Sequence, residues 1–199
     1  MELKGELFKE LIKQGPSIEG GRRIWNIAKR DFLFGTPELA KGFLKLRTHK
    51  RYEEIVVQKE IEMLGKHKEV IFNELNNGNF NLIDLGCGNG TKAKSLLSSF
   101  SNIKSMIRYA PVNVDQYLVN LALENVKNEG FLHVKEFSPL LSGFESLDEV
   151  VTNLRSSNYP RNIVLLLGSI LANFDIHNYL FNLSNAMFEG DVLLIGNGI

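Results

Sequence analysis

Apolar and polar positions along the chain follow two different periods, and the change falls near residue 79. Before it the pattern is helical. Leu3, Leu7, Phe8, Leu11 and Ile12 recur at helical spacing until Gly15-Pro16 ends the run. Ser17 to Gly35, with Gly20-Gly21, Arg22-Arg23 and Trp25, fits neither period. Thr36-Pro37-Glu38 has the chemistry of a helix start, with Thr36 as N-cap and Pro37 at the first helical position. From Lys50 to Asn76 an amphipathic stretch carries Tyr52, Ile55, Val56, Met63, Val70, Ile71 and Leu75 on its apolar side. Asn76 to Asn79 is a turn.

From Phe80 onward short apolar runs alternate with helical stretches. Strands are predicted over 80–85, 105–114, 131–137, 162–167 and 191–195. Helices are predicted over 91–100, 116–128, 147–155 and 176–188. Alternation of this kind implies parallel pairing through right-handed crossovers, hence an α/β fold with helices on both faces of the sheet. The chain divides into an N-terminal helical segment, 1–78, with a contribution to closing the site, and a Rossmann-like domain, 79–199.

Composition narrows the classes. The chain has 199 residues, of which 44% are hydrophobic, enough for a sizeable core. Its 23 basic and 23 acidic residues balance. A strong nucleic-acid footprint is therefore not expected, and the one basic run, Lys41 to Arg51, reads as a solvated helix face. The single cysteine, Cys87, allows no internal disulfide and agrees with a reducing, cytoplasmic setting. The mixed charges of Met1 to Lys13 do not read as a signal peptide, and no apolar run suits a membrane span.

The most informative segment is Asp84-Leu85-Gly86-Cys87-Gly88-Asn89-Gly90, between the first buried strand and a helix. Glycines at alternate positions allow a tight turn and let a ligand lie against bare backbone. A dinucleotide loop would need a glycine where Thr91 stands, and a phosphate-binding P-loop would need one at Leu85. The D-x-G-x-G-x-G spacing is instead similar to the first motif of S-adenosylmethionine methyltransferases. Asp84 suits the ammonium group of such a cofactor. Cys87 reads as a small packing residue of that loop, not as a nucleophile.

Further candidates lie where the next strands end. Asn113 and Asp115 stand at the tip of the second strand, where a carboxylate would meet ribose hydroxyls; Asp115 reads equally well as the N-cap of the following helix. At the third strand Glu136 and Phe137 could contact adenine, Phe137 by stacking, with core packing as the alternative.

Three blocks together carry a family resemblance: L-G-C-G-N-G-T-K (Leu85 to Lys92), Y-A-P-V-N-V-D (Tyr109 to Asp115) and L-L-L-G-S-I-L-A-N-F (Leu165 to Phe174). They are followed by F-E-G-D-V-L-L-I-G (Phe188 to Gly196). The chain resembles the histidine N-alpha-methyltransferases of ergothioneine biosynthesis and their relatives, from about Arg47 onward. The resemblance implies a class I methyltransferase core with strand order 3-2-1-4-5 and S-adenosylmethionine as cofactor. It assigns Gly86 and Lys92 to the cofactor loop and sets Gly168 and Asn173 at the mouth of the fourth strand, Gly168 on the cofactor and Asn173 on the substrate. Asp84, Cys87, Gly88, Asn89 and Gly90 of the loop and the strand-tip candidates Asn113, Asp115, Glu136 and Phe137 complete the expected cofactor set. Asn173 also reads as a loop or capping residue. Asn113 stands where the family has an acid, and the family's Y-Y-x-T-R-T-E block appears only as F-L-K-L-R-T-H, Phe43 to His49. The resemblance supports the cofactor and the fold, and does not extend to histidine as the substrate.

The expected activity is methyl transfer to a small, amino-acid-like acceptor. The four histidines, His49, His67, His133 and His177, are scattered and lack metal-ligand spacing, so no metal is expected, and no His/Asp pair stands out as a catalytic base, which is left unassigned. The competing reading is a degenerate binding or scaffold module that keeps the fold without turnover. With about five strands counted, the sheet reads as incomplete at its C-terminal side. Its open last strand would then pair with a second copy or belong to a longer protein.

Overall fold

The computed structural model describes residues 9, 12–13, 15–25, 41–42, 44–45, 49–75, 78–100, 102–143, 146–168 and 170–196. Its centre is a parallel sheet of β3 (Phe80–Leu85), β4 (Ile107–Asn113), β5 (Val134–Phe137), β7 (Arg161–Leu166) and β8 (Val192–Ile195) in the order β5-β4-β3-β7-β8. Renumbered along the domain, this is the expected 3-2-1-4-5. Alternation within β3 explains why both faces are covered. Phe80 and Leu82 pack on one side with Ala93, Leu96 and Leu97 of α4 (Thr91–Ser98) and Val126 of α5 (Gln116–Lys127). Ile83 and Leu85 pack on the other with Val150, Val151 and Leu154 of α6 (Leu147–Leu154) and Leu183 of α7 (Ile176–Ala186). Every residue of β3 is buried, and each fully buried aliphatic side chain stabilises the fold by about 1.5–3 kcal/mol.

The strands are also tied at their amino ends by polar side chains that have no access to solvent. Asn81 donates to Asn162 Oδ1 at 2.8 Å and to the Leu154 carbonyl at 3.0 Å. Asn162 donates from its side chain to the Val151 carbonyl at 3.2 Å and from its backbone to Asp191 at 2.8 Å. Asp191 in turn pairs with Arg155 at 2.6 Å.

The N-terminal segment departs from the helical expectation. Ser17–Glu19 (β1) and Arg22–Ile24 (β2) form an antiparallel hairpin with Glu19 opposite Arg22. Gly20 (φ 55°) and Gly21 (φ 76°) are both left-handed, as a two-residue hairpin turn requires. Strands this short show no readable period, and the Gly-Gly pair was the usable signal. The expected helix start at Thr36 lies outside the described residues, as do most of the first helix and of Phe43 to His49. The stretch from Lys50 is not one helix. It comprises α1 (Lys50–Tyr52), a π-helical segment (Glu53–Val57), α2 (Gln58–Lys66) and α3 (Lys68–Leu75), with a break at His67.

The third strand differs as well. It begins at Val134, is interrupted at Ser138-Pro139, where the Ser138 N–H still donates to the Tyr109 carbonyl at 2.9 Å, and resumes as β6 (Leu140–Leu141), opposite Val112 and Asn113. Its carboxyl end is thus Leu141, not Phe137. On the other side β8 pairs with β7 alone, and no strand among the described residues takes its outer edge. No helix among the described residues is long and apolar enough to cross a membrane.

Candidate functional site

The glycine loop leaves β3 at the carboxyl edge of the sheet, beside the point where the strand order reverses; ligands of open α/β sheets bind at such a point. The N–H groups of Gly86 and Cys87 both donate to the Val112 carbonyl, at 2.9 and 3.2 Å, bending the chain toward β4. Gly86, Gly88 and Gly90 adopt φ of 73°, 55° and 74°. Side chains avoid this left-handed region, so the loop presents bare backbone.

Gly90 has a second reason to be glycine. A Cβ there would lie 3.0 Å from both Cα and carbonyl oxygen of Ala122, so α4 and α5 could not approach as they do. Asn89 reinforces this junction. Its side chain accepts from the Thr91 hydroxyl at 2.8 Å, and its carbonyl accepts from Asn125 at 2.7 Å. The buried Cys87 thiol is directed at the carbonyls of Gly88 (3.8 Å) and Leu118 (3.9 Å), as suits a packing residue.

Asp84 is buried at the end of β3, where the Tyr109 hydroxyl donates to its Oδ2 at 2.8 Å. Burial, then the Asp84 charge and Cys87, push the Tyr109 phenol well above its usual range, so it stays a donor. At the tip of β4, Asn113 Oδ1 accepts from the Asp115 N–H at 3.2 Å, and Asp115 Oδ1 accepts from the Leu118 N–H at 3.1 Å. The N-cap role foreseen for Asp115 is the one its side chain performs here.

Glu136 and Phe137 sit in register with Arg108 and Tyr109, below the carboxyl edge and on opposite faces. Glu136 faces Arg108 at 3.8 Å. Phe137 meets Tyr109 edge-on at 6.5 Å and packs against the core. The structure does not bring this pair to the loop; the residues beside Asn113 are Leu140 and Leu141.

The tip of the fourth strand brings in a residue that pattern reading missed. Glu60 of α2 accepts from Lys92 Nζ at 2.6 Å through one oxygen and from the Gly168 N–H at 2.7 Å through the other. The ion pair is nearly closed to solvent, with side-chain exposures of 13% for Lys92 and 7% for Glu60. Gly168 is left-handed, and a Cβ there would lie 2.6 Å from Lys92 Nζ. Glu60 stands among Val57, Ile61 and Leu64 on the inward face of its helix. An acid at an apolar position was the available signal. Asn173 ends a 3-10 turn, Ile170–Asn173; its side chain lies outside the described residues.

Two cavities flank these elements. One of about 580 Å³ lies between α6 and α7, lined by Asp148, Asn178 and Asn182 among others, away from the glycine loop. The other, about 260 Å³, lies between α2, α3 and the ends of β7 and β8, and borders Glu60 and Gly196.

These residues fit S-adenosylmethionine. The loop offers backbone without Cβ atoms, Asp84 and Lys92 supply both signs of charge, and Gly168 leaves room for the Lys92 ammonium at the strand tip.

Comparison with known proteins points the same way. Ergothioneine biosynthesis protein 1 of Schizosaccharomyces pombe is 28% identical over 126 residues, which is 62% of this chain and 16% of that protein. The chain thus spans about a sixth of the relative it matches. Among solved structures, a SAM-dependent methyltransferase from Aquifex aeolicus is 16% identical, covering 74% of this chain and 66% of its own, with a TM-score of 0.42. Coclaurine N-methyltransferase bound to N-methylheliamine and SAH is 17% identical, covering 96% of this chain and 55% of its own, with a TM-score of 0.45. The fold assignment rests on the strand order and not on these two likenesses. The family model described as "Histidine-specific methyltransferase, SAM-dependent" matches residues 49–198, from the helices before the sheet through its last strand. With the match spanning most of its length and including the glycine loop, the chain belongs to the SAM-dependent, histidine-specific methyltransferase family.

Proposed function

We propose that the chain is the cofactor-binding core of an S-adenosylmethionine-dependent methyltransferase that acts on a small, amino-acid-like acceptor. The observation that carries this reading is the run of three left-handed glycines at the carboxyl edge, beside the reversal of strand order. Gly86, Cys87, Gly88 and Asn89 would form the backbone floor, with Asp84 and Lys92 at the amino-acid end. Asn113 at the β4 tip would face the ribose, and Asn173 the acceptor. The cofactor supplies an activated methyl group on sulfur. The protein's own part is to hold the acceptor in line with that group and to exclude water. Positioning of this kind can contribute roughly 7–11 kcal/mol to lowering a barrier. A single, buried cysteine fits a reducing, cytoplasmic setting.

One observation favours a second reading, a binding module without turnover. Asn113 and Asp115 are both engaged in the local turn and cap, and the β4 tip carries an amide where an acid would grip the ribose. Isothermal titration with S-adenosylmethionine and S-adenosylhomocysteine tests both readings. Micromolar binding of both ligands, followed by methyl transfer to an amino-acid panel that includes histidine, is expected. Binding without transfer to any acceptor would favour the module, and absence of binding would end the cofactor reading.

A further inference from the structure

Among the described residues, Glu60 is the one carboxylate that joins the N-terminal helices to both the glycine-loop helix and the fourth-strand tip. Its two oxygens are divided between donors on two elements, Lys92 Nζ at 2.6 Å and the Gly168 N–H at 2.7 Å. The position is crowded as well as polar: a Cβ on Gly196, just past the last strand, would lie 2.6 Å from Glu60 Oε1, so a glycine there leaves room for this carboxylate.

We infer that Glu60 is a positioning residue for the amino-acid end of the cofactor, acting through Lys92; the inference rests on the proposed function. Three physical points support it. A lysine side chain at a helix start is long and mobile, and fixing it costs rotamer entropy. The buried bond to Glu60 meets that cost before any ligand arrives. Next, the pair is neutral as a unit. A lone buried lysine would attract any anion, phosphate included, whereas a Lys⁺–Glu⁻ pair complements a zwitterion, an ammonium and a carboxylate side by side. Finally, Gly168 lets the ammonium approach the strand tip, because a side chain there would displace it. Glu60 therefore selects for the methionine half of the cofactor and has no part in holding the nucleoside half.

The test compares two ligands that differ in that half alone. S-adenosylhomocysteine carries the amino-acid group, and methylthioadenosine lacks it. By titration calorimetry, Glu60→Gln is expected to weaken S-adenosylhomocysteine at least about tenfold while methylthioadenosine stays within about twofold of wild type. Lys92→Met should show the same split, and the double variant should lose no more than the worse single variant. Equal losses for both ligands, no change, or tighter S-adenosylhomocysteine binding by Glu60→Gln would overturn the inference. The last result would mean that Glu60 competes for Lys92. If Glu60→Gln does not fold, hydrogen exchange of the wild-type chain decides. S-adenosylhomocysteine should protect the amides of Gln58–Lys66 and methylthioadenosine should not; equal protection overturns the inference. Wild-type protein that binds neither ligand would instead sink the proposed function itself.

Discussion

The Tyr109 hydroxyl donates to the Asp84 carboxylate across 2.8 Å inside the sheet's covered face, one strand away from the glycine loop. A charged group this deep needs its donors. Tyr109→Phe removes one and adds nothing in its place. The expected loss is about 1–3 kcal/mol of stability, read as a lower urea midpoint with an unchanged slope. A stability equal to wild type would show that Asp84 does not depend on this bond.

The glycine that opens α4 is constrained from two directions. Gly90→Ala forces a Cβ into the left-handed region and against the backbone of Ala122. Each effect costs about 1–3 kcal/mol, so a loss of about 2–6 kcal/mol is expected by thermal or chemical denaturation. Adding Ala122→Gly should not restore the loss, because the nearest atoms are the Cα and carbonyl oxygen of residue 122, which a glycine keeps. Full rescue by the double variant would refute this account.

His133 sits where β5 begins, with Nε2 buried and no hydrogen-bond partner for that atom. Burial lowers its pKa from the ordinary 6.5, a hydrogen bond with the Leu97 backbone opposes the shift, and Lys135 adds to it. A depressed histidine pKa means that the unfolded chain takes up the proton first as pH falls. The contribution of His133 is therefore complete above pH 6.5 and is lost progressively below it. In denaturation series from pH 7.5 to 5, His133→Leu should show a shallower decline than wild type. Parallel declines would show that His133 does not titrate differently in the two states.

The amide network at the amino ends of the strands should be costly to break. Asn162→Ala removes the acceptor for Asn81 and the donor to the Val151 carbonyl, in a place without solvent. A loss of about 2–4 kcal/mol is expected, and Asn162→Asp should not repair it, because a carboxylate cannot donate to Val151. Unaltered thermal stability of Asn162→Ala would mean that water replaces the side chain.

Much of the sheet could be read from periodicity, since a strand buried from Asn162 to Leu166 and helices with one apolar face leave distinct signatures. The glycine loop was legible because alternate left-handed positions admit few other residues. Three features were hidden for physical reasons. The hairpin at Ser17–Ile24 is too short to show a period. The third strand continues past Phe137 in unchanged register, across a short interruption at Ser138-Pro139 that no local period marks. Glu60 earns its place from partners 32 and 108 positions away in the chain, a relation that no local pattern encodes. Glu136 and Phe137 were expected at the carboxyl edge because the third strand was expected to end with them.

The interruption at Ser138-Pro139 also makes the two margins of the sheet unlike each other. Pro139 lacks an N–H, so an incoming strand finds a broken template along the β5 and β6 side. The β8 margin offers an unbroken ladder from Val192 to Ile195. Among the described residues, an added strand would therefore meet a continuous template along β8 and a gap at Pro139 on the opposite margin.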